Sequence, residues 1–493
     1  EARDRLLQGY QYIFVDEYQD IDEQQYALVS ALAGRTQSDA DAKLSIMAVG
    51  DDDQNIYSFK GASVEFIRRF QTDYSGEVTY LVENFRSTQN IIAAANHVIQ
   101  RAMDRMKVDH PIRIDSKRAP EPAGGRLTQL DPAGQGKVRL ITAPADPNRQ
   151  AQVVFDEIAR IRRFDPAVAL GEIAVLARTH RSLEPLRALC DLEEVRYEMV
   201  SRDGARAQLS LMNSREGRRT ADLLRSRRSD LLSMPALRRW LARQVWRQPA
   251  NPYWEDLAAA VDEFAESVGM DRVPAAEVTD ALYEADADTR RGHQPAALKL
   301  MTAHSAKGLE FGHVVVMDCA DWRWSGEDER RLLYVAMTRA RETLTLMRAE
   351  GGRNPYLVDL GTVDGVIDLL PSPRPAHRAE LDRQHVSLGP SEIDIGFAGR
   401  QGPSDAIHLL ISTLNPGDRI IVEARYLKTL NGHVIGRLAT KTALEASGSM
   451  PAIVAGIMVR TREQTPPEFS ATVKTARWEV VVAELVVSTA PTP

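Results

Sequence analysis

A chain of 493 residues is too long for one hydrophobic core and predicts about three or four domains. With 43% hydrophobic and 27% charged residues it reads as globular rather than disordered, and its apolar runs (such as "SIMAV" and "VVVM") are too short to span a bilayer as a helix. The net charge of −7 excludes a uniformly basic protein but hides a local excess. Residues 202–247 hold twelve arginines against four acids (Asp203, Glu216, Asp222 and Asp230), a window of +8. Alone, such a run reads as a solvated helix face.

The start shows no basic, apolar, small-residue progression of a signal peptide. It also lacks an initiator Met and falls a few residues before a core strand, so a fragment of a longer protein is expected. The two cysteines, Cys190 and Cys319, supply neither a disulfide framework nor a zinc site, which points to a reducing cytoplasm.

Strand-like and helix-like runs alternate along the first two thirds of the chain. "YIFVD" (12–16) predicts a buried strand, followed by a helix over about 22–32. "LSIMAVG" (44–50) precedes a polar loop and a helix near 63–70. "VTYLVE" (78–83) predicts a strand before the helical run 88–103, whose apolar residues recur at helical spacing. A Pro/Gly-rich connection covers 111–136. Then "VRLITA" (138–143), a helix at about 149–163 and "IAVLAR" (173–178) form a βαβ unit. Residues 204–292 read as wholly helical. "LKLMTA" (298–303), "HVVVMD" (313–318), a helix at 327–341 and "TLTLM" (343–347) return to α/β. Apolar strands with crossover helices imply parallel sheets covered on both faces. Beyond Pro371 the prolines give way to β-rich stretches ("RIIVEARYL", "AIVAGIMVRT", "RWEVVVAELVV"), read as a small barrel or sandwich.

In a parallel sheet, ligands sit beyond the carboxyl ends of the strands. Asp16 and Glu17 end one such strand, where one carboxylate can hold Mg²⁺ and the other can polarise water; capping of the next helix is the plainer alternative. "AVGDDDQNIYSFKGA" (48–62) repeats the pattern. It adds Gln54, suited to sensing a phosphate, and Tyr57 and Phe59, which can stack on bases or pack in a core. "LVENFRST" (81–88) adds Phe85 and Arg86. "LMTAHSAKGLEF" (300–311) sets Thr302, His304, Ser305, Lys307 and Gly308 at a strand-to-helix turn. "ERRLLYVAMTRARETL" (329–344) brings Arg339 to one helix end. Two arginines from separate blocks suit charge developing on a transferred phosphoryl group.

Taken together, DEYQD, GDDDQNIYSFKGA, LVENFRST, LMTAHSAKGLEF and LLYVAMTRA resemble the second to sixth motifs of superfamily 1 helicases of the UvrD/Rep/PcrA type, in order, over about residues 1–350. "GEIAVLARTH" (171–180) resembles that family's strand before its accessory insertion. The resemblance implies an α/β fold of RecA-like P-loop NTPase domains, the first partial and the second complete, with a helical insertion and a C-terminal β-rich domain. The expected boundaries are 1–86 for the first domain, 87–203 and 293–370 for the second, 204–292 for the insertion, 371–390 for a linker and 391–493 for the β-rich domain.

The resemblance also implies roles. Asp16 would ligate Mg²⁺ and Glu17 would activate water. Gln54 would couple the γ-phosphate of ATP to the DNA loop. Phe85, where the family commonly has Tyr, would stack on adenine, and Glu310 would bind the ribose. Arg86 and Arg339 would be paired arginine fingers. Tyr57, Phe59, Thr302, His304 and Lys307 would meet DNA. The implied activity is ATP-dependent translocation on single-stranded DNA, 3′ to 5′, with unwinding of duplex DNA in repair or replication. The implied place is the cytoplasm at the bacterial nucleoid, with no membrane partner.

Departures qualify the likeness. The family's glycine-rich phosphate loop is not found: Gly136-Lys137 is followed by Val138, with Asp131 where the leading glycine belongs. The adenine-recognising glutamine segment and the early DNA-contact motifs are not found either. About 120 residues separate Arg178 from Leu300, short for the family's mobile domain, and the arginine-rich window falls inside them. These 493 residues alone are therefore expected not to hydrolyse ATP. The competing reading is a degenerate, helicase-like DNA-binding or regulatory protein. A nuclease fusion is a third, but no carboxylate-plus-Lys cluster after Pro371 supports it.

Overall fold

Tyr12–Val15 alternates aromatic and aliphatic residues and, in the computed structural model, pairs in parallel with Ser45–Ala48. The structure describes residues 7, 9–36, 43–57, 61–200, 209–227, 231–249, 251–289, 297–322, 326–352, 354–370, 375–442 and 448–488. One face of this strand pair is packed: Val15 and Ala48 meet a cluster of Tyr18, Ile21 and Tyr26 with Phe66, Ile67 and Phe70. Its helices are locally specified. Asp22 and Gln25 form a reciprocal capping box before Glu23–Ala33, Gly34 closes that helix at φ +72°, and Ser63 caps Val64–Tyr74. The opposite face is not covered among the described residues. Tyr12 and Phe14 are 62% and 74% exposed, so the buried strand expected from the sequence is a half-exposed one. The strand expected over 78–83 is reduced to Glu83–Asn84, which pairs with Arg113–Ile114.

The chain divides into two units: Glu1–Tyr197 with Ala296–Arg378, and Glu198–Pro295 with Ala379–Pro493. The first also holds six strands of a sheet in the order Val366–Leu369, Val138–Ala143, Ala340–Ala349, Phe311–Val316, Ile173–Ala177 and Leu298–Thr302. The pairings from Val366–Leu369 through Leu298–Thr302 are parallel. Its central strands are buried along their whole length, as expected of a parallel sheet covered on both faces. Helices Pro147–Phe164 and His180–Leu192 follow the strands ending at Ala143 and Ala177. This is the mixed α/β architecture with a parallel sheet that the strand–helix alternation predicts. The turn at Asp131–Lys137 is filled by its own chain: Asp131 accepts from the Gly134 N–H at 2.9 Å and pairs with Arg160 at 2.7 Å.

The second unit includes the helices Arg215–Arg225, Met234–Arg247, Pro252–Val268, Ala275–Thr289 and Ala406–Thr413 and a six-stranded sheet. The segment read as wholly helical also carries short strands, Leu231–Ser233 pairing antiparallel with Arg272–Pro274. The sheet orders Arg383–Leu388, Arg477–Ser488, Ser449–Thr461, Arg419–Glu423, Tyr426–Thr429 and Val434–Arg437, with antiparallel pairings. Its first strand lies inside the stretch expected to be a linker. Helices and sheet share one apolar core in which Leu241, Tyr253, Leu257 and Leu282 meet Val454, Ile457, Val480 and Leu485. No helix among the described residues is long and apolar enough to cross a membrane, and both cysteines are buried free thiols.

Candidate active site

Asp16 and Glu17 follow the strand ending at Val15 and are both exposed. Glu17 lies in the left-handed region at φ +51°, a conformation that costs a non-glycine residue and concentrates at functional sites. The Glu17 N–H donates to Asp16 Oδ1 at 2.8 Å, which leaves the second Asp16 oxygen open. Gln19, fully buried, joins this loop to the next one. Its Nε2 donates to Glu17 Oε2 at 2.5 Å, and its Oε1 accepts from the Asp51 N–H at 3.0 Å. Its carbonyl accepts from Asn55 Nδ2. Gly50 is required by this approach, since a Cβ there would stand 2.6 Å from Gln19 Oε1 and 2.8 Å from Ile67 Cδ1.

The second acidic loop sets two cations, Arg105 and Lys107, against three aspartates. Asp51, Asp52 and Asp53 place carboxylate oxygens within 4.8 Å of one another, a spacing that suits a cation. Each already accepts from a neighbouring group, however. Arg105 holds Asp53 in a fork of 2.8 and 2.7 Å, Lys107 sits 2.6 Å from Asp51, and the Met106 N–H donates to Asp52 at 2.8 Å. The open carboxylates are therefore Asp16 and Glu17, whose oxygens suit a hard divalent ion. Arg105 and Lys107 carried no motif signal in the sequence; only the fold brings them to these acids.

From Glu17 a series of contacts crosses to Arg339 and, through Thr338, to Arg86, which donates to the Thr338 carbonyl at 3.5 Å. Lys307 Nζ lies 3.7 Å from Glu17, pairs with Asp20 and donates to the Gln54 carbonyl at 2.8 Å. Gln54 Nε2 donates to Asp51 at 2.9 Å, and Gln54 Oε1 accepts from Arg339 Nη2 at 3.2 Å. Arg339 is buried and also donates to the carbonyls of Val335 and Leu309. Burial, with the nearby Arg86 charge adding to it, lowers its pKa to about 10, so it stays protonated at neutral pH. Arg86 donates to Glu310 Oε2 at 2.5 Å, and Glu310 also faces Arg341 at 3.7 Å. The Arg86 segment is tied beside Arg339 because Ser87 donates to the Ala340 carbonyl at 2.7 Å and the Thr88 N–H to that of Arg341.

The remaining expected residues surround this series. Phe85 is 68% exposed, and its carbonyl accepts from Arg118 at 2.8 Å. Tyr57 Oη donates to the His304 carbonyl at 3.4 Å, with Lys307 Nζ 5.3 Å from its ring. The Thr302 hydroxyl accepts from the Ser305 N–H at 3.2 Å, capping the turn. Lys307 is turned inward onto Asp20 rather than outward. Phe59 lies outside the described residues.

Residues 1–75 match the UvrD/REP helicase N-terminal domain, and residues 79–203 with 275–351 match the UvrD-like helicase C-terminal domain. The chain belongs to the UvrD/Rep helicase family. DNA helicase II of Haemophilus influenzae is 26% identical over 421 residues, 71% of this chain and 56% of that protein. The ATP-dependent DNA helicase PcrA of Bacillus subtilis is 26% identical over 484 residues, covering 80% and 63%. DNA helicase II of Salmonella typhimurium is 30% identical over 414 residues, covering 69% and 56%. The chain thus spans a little over half the length of these UvrD/Rep relatives. The two UvrD-family domain matches take in every site residue named above and leave out 204–274 and everything after 351.

Proposed function

We propose that this chain forms the ATP-hydrolysing and strand-gripping part of a DNA helicase, built from RecA-like lobes and moving 3′ to 5′ on single-stranded DNA in repair or replication. The observation that carries this reading is the series Glu17–Lys307–Gln54–Arg339–Thr338–Arg86–Glu310. It links open carboxylates to paired guanidinium groups through the segment that also bears Tyr57.

The residues fit a magnesium nucleotide. Asp16 offers an oxygen not used by its own chain, exposed Phe85 offers a stacking face, and Arg86 and Arg339 offer cationic donors. Bound there, Mg²⁺–ATP would supply an electrophilic γ-phosphorus with its charge partly neutralised. Glu17 accepts the proton of the attacking water, and its left-handed backbone aims the carboxylate off the strand end. Arg339, held by four oxygen acceptors of the chain, is preorganised for negative charge and needs no reorganisation as that charge grows. Gln54 reports the position of Arg339 to the Tyr57 loop through one side-chain amide. DNA bases would stack at Tyr57, worth about 1–3 kcal/mol per base.

These 493 residues contain no Gly-Lys-Ser or Gly-Lys-Thr segment, so alone they are expected to show no DNA-stimulated hydrolysis. In a polypeptide that also carries a phosphate loop, Glu17→Gln and Arg339→Ala should each lower DNA-stimulated turnover by roughly 10³-fold or more and spare DNA binding. Normal turnover in both variants would overturn the proposal.

A further inference from the structure

We infer that the helix Met234–Arg247 is a second nucleic-acid-binding element, taking a single strand along its solvent face through Arg239, Arg243, Arg247 and Trp246. The inference rests on the helicase reading only in choosing DNA over RNA; the surface itself is read from its own chemistry.

One side of this helix is fixed in the core of its unit. Met234, Leu237, Leu241 and Gln244 are buried, and the Trp240 ring meets buried Trp254 edge-on at 5.6 Å. The other side is set by periodicity. Arg239, Arg243, Trp246 and Arg247 follow at steps of four, three and one, and so share one face. All four are exposed, and Trp246 is 81% exposed, an indole left in water with its ring available.

Among the described residues the charge on that face is not neutralised. The helix contains four arginines and no acid. Arg238 pairs with Asp262, but among the described residues no carboxylate pairs with Arg239, Arg243 or Arg247. Successive arginines rise about 6 Å along the axis, a row suited to a polyanionic backbone. The indole decides the kind of nucleic acid: an exposed ring stacks on an unpaired base, whereas bases inside a duplex are already stacked. A membrane surface also attracts basic helices with tryptophan, but such helices must bury their apolar side in lipid. Here Leu237 and Leu241 are already buried in protein.

The test titrates the 493-residue chain into a fluorescein-labelled oligo(dT) strand, a duplex of equal length and phosphatidylserine vesicles. Arg239→Ala/Arg243→Ala/Arg247→Ala should weaken strand binding about tenfold and flatten the dependence of log K on log[salt] by about 2, from roughly 0.7 per lost phosphate contact for single strands. Trp246→Ala should leave that slope unchanged, weaken binding about fivefold and abolish the DNA-dependent part of tryptophan quenching. Circular dichroism should show unchanged melting in both variants, since the replaced side chains are exposed. Tyr57→Ala should keep the Trp246-dependent quenching; loss of the Tyr57 effect alone would count against the helicase reading and not against this surface. Unchanged affinity and slope in the triple variant would overturn the inference. So would tighter binding to duplex than to strand, or binding to vesicles with none to oligo(dT).

Discussion

Arg339 and Gln54 stand 285 residues apart in the chain and 3.2 Å apart in space. The guanidinium has further acceptors in the carbonyls of Val335 and Leu309 and in the Thr338 hydroxyl, so Gln54 is the one partner it takes from the second acidic loop. This asymmetry gives an ordered expectation. Arg339→Ala leaves buried carbonyls without a donor and should cost about 1–3 kcal/mol of stability. Gln54→Ala removes one bond of several and should cost less, on the order of 0.5–1.5 kcal/mol. Urea unfolding of the single and double variants measures both; a larger loss for Gln54→Ala would show that Arg339 is not held as described.

Lys307 is the cation that makes Asp20 tolerable. Burial raises the pKa of Asp20, Lys307 lowers it through a hydrogen bond and its charge, and the Glu17 charge raises it. Lys307→Met removes the lowering contributions, so the folded-state pKa of Asp20 should rise further. A raised folded pKa means the native state binds the proton more tightly than the unfolded chain. Stability then falls as pH climbs from the unfolded carboxylate range, about 4, through the folded value. The variant should therefore melt closer to the parent at about pH 5 than at about pH 8. A constant difference across that range would mean that Asp20 is not coupled to Lys307.

The sequence was most informative where a local pattern fixes where a residue stands in the fold. Asp16 and Glu17 end a strand run, Arg339 follows a helix, and the apolar runs 138–143 and 173–178 lie in the buried parallel sheet. Contacts that only tertiary folding creates were not legible. Gln19 lies inside the quoted DEYQD stretch, yet its service to Asp51 and Asn55 spans more than thirty residues. Arg105 and Lys107, which pair with Asp53 and Asp51, sit in no motif. The 78–83 run has strand composition, but Leu81 is 79% exposed and pairing reaches only Glu83–Asn84. The arginine-rich segment and the β-rich end read as separate modules, because periodicity shows that a face is apolar without showing what covers it.

Gly456 tests whether those two segments depend on each other. It sits in the strand Ser449–Thr461, and a Cβ there would stand 2.4 Å from Tyr253 Oη and 2.6 Å from Leu209 Cδ2, both in the helical segment. Tyr253 also donates to the Ala455 carbonyl at 3.2 Å. Gly456→Ala should force the helix Pro252–Val268 off the sheet and cost about 1–3 kcal/mol. Hydrogen exchange should speed up in both the helices and the sheet. Faster exchange confined to the sheet would show that the two segments do not share one core.

Asp318 gives the sharpest pH expectation. It lies two residues beyond the strand Phe311–Val316 in the middle of the parallel sheet, is 1% exposed, and accepts from the Ala349 N–H at 2.8 Å. Burial raises its pKa to about 6, against the lowering effect of that bond and of Asn354. The next two residues, Cys319 and Ala320, have φ of +47° and +55°, so the turn that holds the carboxyl is itself strained. With the folded pKa above the unfolded value of about 3.9, the native state holds more protons between them. Stability from this group is therefore full below about pH 4, declines to about pH 6 and is level above. The loss amounts to roughly 2–3 kcal/mol, from 1.36 kcal/mol per pKa unit. Asp318→Asn keeps an acceptor for Ala349 and carries no charge. It should flatten the stability profile between about pH 4 and pH 6 and leave the variant more stable than the parent at pH 7. A parent-like slope in the variant would place that titration elsewhere in the chain.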